Sequence, residues 1–118
     1  MQTFSVSTDR QLQVRDVTDQ VAATLPADAD GTATVFVRHT TAAITVNEAE
    51  RRLLGDLTDA LAGLVPDEGW AHDEIDDNAD SNLRALLLGP GETLPVADGG
   101  LQLGTWQSIL LMELDGPR

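Results

Sequence analysis

Arg38-His-Thr-Thr-Ala-Ala-Ile-Thr-Val-Asn-Glu48 is the stretch from which both the fold and a candidate site can be approached. β-Branched residues in its middle favour an extended strand. Apolar residues at helical spacing follow it, from Ala49 through Leu64. The stretch therefore predicts a strand that leads into a helix. His39 lies at the end of one β-branched run and Glu48 lies where the helix should begin, and reactive groups at such a junction often form a site.

The same periodicity rules predict the other elements on both sides of this stretch. The predicted strands cover residues 3–6, 11–14, 32–38, 43–46, 93–96 and 101–114, with a hairpin turn at 8–10, a turn at 98–100 and a loop over 66–77. The predicted helices are a short one capped by Asp16 or Thr18, a long one from Asn47 to about Gly63, and one capped by Asp80 or Ser81 that ends at Gly89. Strands at both ends with helices between them indicate a single α+β domain over residues 1–118.

Charge and composition exclude several classes of function. The net charge is −13, and all seven basic residues are arginines. Such a surface repels nucleic acid phosphates, so no nucleic acid partner is expected. The absence of cysteine excludes disulfides, thiolate metal sites and cysteine nucleophiles. No apolar run is long enough to span a bilayer, so we expect no membrane partner and a cytoplasmic location.

The same charge balance suggests an origin in a very salty cytosol. Acidic residues are spread among apolar ones along the chain and do not form a disordered tail. High salt shortens the Debye length to about 3 Å at 1 M and screens repulsion between the acids. We therefore expect a halophilic source and a fold whose stability depends on salt.

Each candidate site residue also has a structural explanation. His39 could simply hydrogen-bond at a strand end, and Glu48 could stabilise the first turn of the helix. Asp56 could be a solvent-facing acid, and His72 lies in a polar acidic loop that could be either solvated surface or a metal- or substrate-binding loop. The segment Gly104-Thr-Trp-Gln-Ser108, taken as part of the last strand, has polar side chains that would need a ligand or a neighbouring subunit as partner.

Spacing alone identifies no enzyme class. The chain has no serine-centred elbow, phosphate-binding glycine loop, His-Glu-x-x-His helix or dinucleotide fingerprint. The commonest hydrolase, kinase, zincin and oxidoreductase motifs are therefore absent.

The order of several short motifs is more specific. His39-Thr-Thr-Ala-Ala-Ile-Thr-Val-Asn-Glu48 is followed by Asp56, Val65-Pro66, His72, Leu88-Gly89, Leu94-Pro95-Val96 and Gly104-Thr-Trp-Gln107. In this combination the chain resembles the YjbQ family over about residues 2–118. The resemblance implies a two-layer, sandwich-like α+β fold with mixed sheets and two to three helices. It further implies a homotrimer around a threefold axis.

The resemblance also implies an activity, that of a secondary thiamine phosphate synthase. This reaction joins a hydroxymethylpyrimidine diphosphate to a thiazole phosphate and releases diphosphate, so the partners would be small phosphorylated substrates. Carried over by position, the implied catalytic residues are His39, Glu48, Asp56 and His72. The implied substrate-binding residues are Arg38, Thr40, Asn47, Asn82, Arg84, Thr105, Trp106 and Gln107.

A divalent metal ion is the expected cofactor, held by His39 and His72 together with either a carboxylate or Asn82. Asn82 stands where the family commonly has a third histidine. An amide oxygen in place of an imidazole weakens zinc binding and favours Mg²⁺ or Mn²⁺. The ion would neutralise the departing diphosphate, Arg38 and Arg84 would add positive charge, and Glu48 or Asp56 would orient a histidine.

Two other functions remain compatible with the sequence. One is a non-catalytic trimer that binds a metal or a small anion in the same polar site, which the missing third histidine favours. The other is a metal-dependent phosphate-ester hydrolase. The family usually continues past the Asp-Gly-Pro-Arg segment into a further strand, so we expect a sheet edge near Arg118 that a neighbouring subunit would cover.

Overall fold

The periodic segments of the sequence fold into six strands and three α-helices in a computed structural model that describes residues 1–118. The strands are β1 (Gln13–Asp16), β2 (Gly31–Phe36), β3 (Ala42–Asn47), β4 (Gly91–Ala97), β5 (Gly100–Leu101) and β6 (Ser108–Glu113). The helices are α1 (Thr18–Ala23), α2 (Arg51–Leu64) and α3 (Ala79–Leu88), with one 3₁₀ turn at Ala71–Glu74. The predicted α+β class is confirmed.

Two separate antiparallel sheets organise these elements. Sheet A has the strand order β1-β6-β3, and sheet B has the order β2-β4-β5. In sheet A, β3 runs opposite to β6 with Ala42 beside Glu113 and Asn47 beside Ser108. Every strand pair is antiparallel. This register fixes the two ends of β3 against opposite ends of β6.

Strand β6 is buried on both faces, which explains its almost continuous apolar sequence. Leu110 and Met112 on one face pack with Leu61 of α2 and Ala85 of α3. Ile109 on the other face packs with α1 and with Leu94 of sheet B. Sheet A is therefore a central layer, with α2 and α3 on one side and sheet B with α1 on the other.

The turn between β4 and β5 shows why the predicted turn at residues 98–100 needs Gly99. Asp98 and Gly99 both have positive φ angles, of 51° and 76°. Consecutive positive φ angles are typical of the type I′ turns that join short antiparallel strands. A Cβ atom at Gly99 would also collide with the backbone carbonyl of Ala27. The turn therefore lies against the chain that precedes β2.

The predicted N-terminal hairpin is wrong. Residues 3–6 form no strand, and the second predicted strand begins two residues later, at Gln13, where it pairs with β6. The segment at the expected turn binds the other end of the chain instead, because the Thr8 backbone amide donates to the Arg118 carbonyl at 2.8 Å. This segment is thus bonded to the C-terminal end of the chain and not to a neighbouring strand of a local hairpin.

The predicted N-caps of the three helices are also wrong. Helix α2 is capped by Glu50, which accepts hydrogen bonds from the amides of Arg52 and Leu53, while Asn47 still belongs to β3. Helix α3 begins at Ala79, so Asp80 and Ser81 lie inside it and are fully buried. Helix α1 has Val17 as its N-cap residue and no side-chain cap, so the cap expected at Asp16 or Thr18 is also wrong, although Asp16 accepts from the Thr18 amide at 3.0 Å.

The last predicted strand is interrupted. Residues 102–107 lie between β5 and β6 and contain a turn, in which the Gln107 amide donates to the Gly104 carbonyl at 3.0 Å. The Gln107 side chain closes the same turn by accepting from the Gly104 amide at 2.8 Å. Trp106 is consequently 73% exposed and is not part of a buried strand. The predicted polar loop over residues 66–77 is confirmed apart from its single 3₁₀ turn.

None of the helices could cross a membrane, since each is too short or too polar.

Candidate functional site

A cavity of about 510 Å³ lies beside the two sheets and is lined by residues from both of them. Its walls are mostly apolar, with Val35 and Val37 from the β2 region and Ile44 from β3 among them. The N-terminal residues 1–6 form part of the lining. Arg38, His39, Glu113 and Arg118 are its charged or titratable residues. The cavity therefore combines an apolar wall with one cluster of polar groups.

Glu113 organises this polar cluster. It lies at the end of β6, where its side chain is only 4% exposed. The Arg118 guanidinium binds its carboxylate with two nitrogens, Nε to Oε2 at 3.0 Å and Nη2 to Oε1 at 2.9 Å. Thr8 Oγ1 donates to Oε2 at 3.1 Å. This bidentate geometry compensates the buried carboxylate and holds the guanidinium in place.

His39 lies next to the same guanidinium. Its Nδ1 is 3.5 Å from Arg118 Nη1, and Arg118 Nη2 donates to the Thr41 carbonyl at 3.2 Å. The imidazole is exposed, so it can reach a ligand in the cavity. Arg38 precedes it in the chain and lines the same cavity.

Charge distinguishes this cavity from the rest of the protein. Two of the seven arginines line it together with His39, and its one carboxylate is already bound by Arg118. The whole chain carries a net charge of −13. Positive groups concentrated in a concave surface raise the local concentration of anions. The arrangement suits a small anionic ligand with an apolar or aromatic body.

A second, shallower depression of about 320 Å³ lies at the other end of β3. It is lined by Glu48, Ala49, Glu50, Thr105, Trp106 and Ser108. The fold thus brings together two of the sequence motifs, the β3–α2 junction and the Gly104–Gln107 turn. Asn47 lies opposite Ser108 in the sheet, and its Oδ1 accepts from the Glu48 amide at 2.8 Å.

Glu50 differs from its neighbour Glu48 in its bonding. The Arg52 side chain donates to Glu50 at 2.7 Å, and this hydrogen bond, with those from the Leu53 and Arg52 amides, lowers the pKa of Glu50. Glu50 is therefore ionised but already paired. Glu48 forms no ion pair with any arginine of the chain.

Strand β3 separates the two concave surfaces. His39 precedes the Ala42 end of β3, and Glu48 follows its Asn47 end. Five residue steps of an extended strand span about 17 Å. His39 and Glu48, expected to share one site, are therefore held apart within a single chain.

The remaining site candidates lie outside both concave surfaces. Thr40 and Asp56 are exposed, and the Gln107 side chain closes its turn. His72 is exposed in the 3₁₀ turn and does not line the cavity that His39 lines. Asn82 donates from Nδ2 to the Asn78 carbonyl at 3.0 Å, which leaves its Oδ1 as the atom that could bind a metal.

No three His, Cys, Asp or Glu side chains of one chain are arranged to hold a metal ion together. A metal bound by His39, His72 and Asn82 therefore stays a prediction.

Arg84 is predicted to bind substrate, but its side chain is held inside the protein. Its side chain is 1% exposed and contacts neither concave surface. Nε donates to the Leu61 carbonyl at 3.0 Å and Nη2 to the Val65 carbonyl at 2.7 Å, so the cation lies at the C-terminus of α2. Nη1 also forms a buried ion pair with Asp80 at 2.7 Å. Four hydrogen bonds, including one to Asp67, keep this guanidinium inside the protein.

Glu113 and Arg118 are the cavity residues that the sequence analysis did not single out. The indication was present in β6, because the charged Glu113 directly follows four apolar residues at the end of this strand. A carboxylate in such a strand needs a partner. Arg118, five residues later, supplies it.

Comparison with known proteins gives a family and a fold. The family model described as UPF0047 protein YjbQ-like matches residues 2–118. A UPF0047 protein of Methanothermobacter thermautotrophicus is 48% identical over 120 residues, which cover 99% of this chain and 84% of that protein. YugU, a UPF0047 protein of Bacillus subtilis, is 31% identical over 100% of this chain and 92% of its own length.

Solved structures agree with this result. The crystal structure of a hypothetical protein from Aeropyrum pernix superposes with a TM-score of 0.93 at 45% identity, covering 98% of this chain and 88% of that one. The motifs quoted at the outset, the match along residues 2–118 and the shared fold lead to one conclusion: the chain belongs to the YjbQ-like UPF0047 family.

Proposed function

We propose that this protein is a secondary thiamine phosphate synthase that binds its phosphorylated substrates in the cavity beside the two sheets. The observation that carries the proposal is the group formed by Arg38, His39 and Arg118 on the wall of a 510 Å³ cavity in a chain of net charge −13. The reaction itself is the one that the resemblance of the motifs to the family implies. Its two substrates, a hydroxymethylpyrimidine diphosphate and a thiazole phosphate, each combine a ring with a phosphorylated group.

The residues of the cavity suit this chemistry. The apolar wall can pack against a heteroaromatic ring, and the arginines can bind phosphate oxygens. Negative charge builds up on the diphosphate as its bond to the pyrimidine methylene breaks. Cationic side chains fixed beside that charge stabilise the transition state more than the ground state. Because Glu113 holds the Arg118 guanidinium in position, little reorganisation is required during the reaction.

A divalent ion on His39, His72 and Asn82 is part of the proposal; because neither His72 nor Asn82 lines the cavity that His39 lines, these ligands would have to come from neighbouring subunits. When bound, such an ion would add Lewis-acid assistance to diphosphate departure. Metal analysis of the purified protein, and turnover with and without a chelator, would decide whether it takes part.

The binding and turnover assays can be made on matched variants. Inorganic diphosphate is the binding probe, and thiamine phosphate formation from the two precursors is the activity readout. Arg38→Gln and His39→Ala should each weaken diphosphate binding about tenfold or more, since one charge-assisted contact is lost. Both should also lower turnover. Arg51→Gln removes the same charge from an exposed arginine outside the cavity and should change neither.

The outcomes separate the candidate functions. Diphosphate binding that depends on Arg38, without thiamine phosphate formation, would identify a non-catalytic anion-binding protein. Release of phosphate from the precursors without their joining would identify a hydrolase. Unchanged turnover in His39→Ala would contradict the proposed site.

We also propose that the working form is a homotrimer in the cytoplasm. Phe36, Leu87 and Trp106 are large apolar side chains that are more than half exposed, and contact with a second subunit would bury such surface. His39 and Glu48 lie at opposite ends of β3, so they could share a site only if they came from neighbouring subunits. Light scattering on the eluting protein should give three times the 12.6 kDa chain mass. A single-chain mass at assay concentration would contradict the trimer and the shared site.

A further inference from the structure

We propose that the main chain along the free edge of strand β2, the edge that faces away from β4, binds the ring of the substrate. This edge selects rings that carry an amino group next to a ring nitrogen. The inference rests on the proposed function, because it concerns the ring end of a ligand in the same cavity. It adds a determinant of specificity that depends on no side chain.

The register of sheet B shows which main-chain groups of β2 are free. Pro95 lies opposite Thr32, has no amide hydrogen, and directs its carbonyl to the other side of β4. These two residues are therefore a non-hydrogen-bonded pair. Bonded and non-bonded pairs alternate along an antiparallel ladder, and the Val37 amide, which donates at 2.9 Å to the residue before β4, fits this alternation. Thr32, Thr34 and Phe36 therefore direct their amides and carbonyls away from β4.

This free edge lies in the wall of the cavity. Strand β4 is the only neighbour of β2, and no further backbone hydrogen bond reaches Thr34 or Phe36. Successive side chains of a strand point to opposite faces of the sheet, yet all residues from 33 to 39 line the cavity. A cavity that both faces line extends around the edge of the strand. Its wall therefore contains main-chain donors and acceptors that can pair with a ligand.

The chemistry of this edge defines the ring that fits. A ring nitrogen can accept from the Phe36 amide while an adjacent amino group donates to the outward carbonyl of Phe36 or Thr34. Hydroxymethylpyrimidine diphosphate has an amino group next to a ring nitrogen, whereas the thiazole phosphate has no amino group. Arg38 and His39 follow Phe36 by two and three residues, about 7 to 10 Å of extended chain, so cations lie near the phosphorylated end. The edge therefore belongs to the pyrimidine substrate.

The proposed trimer is compatible with this site. Side chains of a strand stand out of the plane of the sheet, whereas its amides and carbonyls lie in that plane. A neighbouring subunit can therefore cover the exposed phenyl group of Phe36 while the main-chain edge stays open to the cavity.

A matched pair of probes tests the proposal. One is hydroxymethylpyrimidine diphosphate, and the other is its analogue with a dimethylamino group, which cannot donate a hydrogen bond. Calorimetric titration should show that the amino probe binds about tenfold or more tightly than the analogue. Equal affinities, with diphosphate binding that still depends on Arg38, would overturn the inference and leave the proposed function standing. If neither probe nor inorganic diphosphate bound, both would be refuted.

Variants of the edge localise the contact. Phe36→Pro removes the amide donor but keeps the ladder with β4, since this amide points outward and proline is tolerated at such edge positions. It should weaken binding of the amino probe about fivefold or more. Phe36→Ala keeps the amide, so it should keep the preference between the probes although both lose contact with the phenyl group. Thr32→Pro removes an amide from the same edge outside the cavity and should bind like wild type.

Wild-type protein gives a direct reading of the same amide. The chain has only two phenylalanines, so isotopically labelled phenylalanine gives one amide signal for Phe36 and one for Phe4 in nuclear magnetic resonance spectra. The Phe36 signal should move downfield when the amino probe binds, and its hydrogen exchange should slow about tenfold or more. A Phe36 amide that is already protected without ligand would show that another strand pairs with this edge. That result would overturn the proposal.

Discussion

Replacing Arg84 with alanine is expected to lower the free energy of unfolding by about 3–5 kcal/mol. The substitution leaves the buried Asp80 carboxylate without its ion-pair partner at 2.7 Å. It also removes the donors for the Leu61 and Val65 carbonyls at the end of α2. An unpaired buried charge costs far more than an exposed one. Urea unfolding followed by circular dichroism would measure the change.

Arg52→Ala is the matched control. Arg52 also pairs with a carboxylate at 2.7 Å, but its side chain is 85% exposed. Its loss should cost less than about 1 kcal/mol. The double variant Asp80→Asn with Arg84→Met removes the unpaired charge and should recover part of the lost stability. An Arg84→Ala protein as stable as wild type, but with lower turnover, would instead place Arg84 in a substrate site.

Potassium chloride is expected to stabilise the protein by several kcal/mol between low and molar concentration. Only four of the twenty acidic side chains form ion pairs. With a radius of gyration of 15.3 Å, thirteen excess charges in water store roughly 15 kcal/mol of unscreened repulsion. Unfolding relieves much of it because the chain expands. Salt that reduces the Debye length to about 3 Å removes this advantage of the unfolded state.

Thermal unfolding at about 0.05 M and about 2 M KCl would measure this effect, and the midpoint should rise by about 10 °C or more. The control is the same comparison near pH 4, close to the isoelectric point of about 4.1. There the net charge is small, so the gain from salt should largely disappear. A midpoint that does not change with salt at pH 7 would contradict the adaptation to a salty cytosol.

Local patterns predicted the middle of this fold well. The alternation before Arg38, the β-branched run of β3 and the helical spacing of α2 each reflect one face packed against a core, and the structure confirms all three. The N-terminal strand was wrong because pairing depends on distant partners, and Thr8 finds them in Glu113 and Arg118. The predictions of the helix caps were less accurate because several neighbouring polar residues could each cap the helix. Glu50 supplies the cap that was predicted at Asn47.

For the candidate site too, the sequence predicted some features and missed others. Sequence motifs identified Arg38, His39, Glu48 and Trp106, which line the two concave surfaces. They could not show that β3 separates His39 from Glu48, since adjacency in the motif suggested one site. Arg84 was assigned to the substrate because positive charge is rare in this chain. Its spacing of four residues from Asp80 is equally the spacing of an ion pair within a helix.

The bonds of Arg84 also bear on how this protein could be engineered. One guanidinium holds the carbonyls of Leu61 and Val65 on the near side of a long connection and Asp80 on its far side. Both ends of the connection are thereby fixed to each other, and Asp67 is the residue between them that Arg84 also binds. An inserted peptide or reporter near Gly69 would extend the connection outward while its two ends stay clamped. Such a graft site is uncommon in so small a domain, where most connections are too short to accept extra residues.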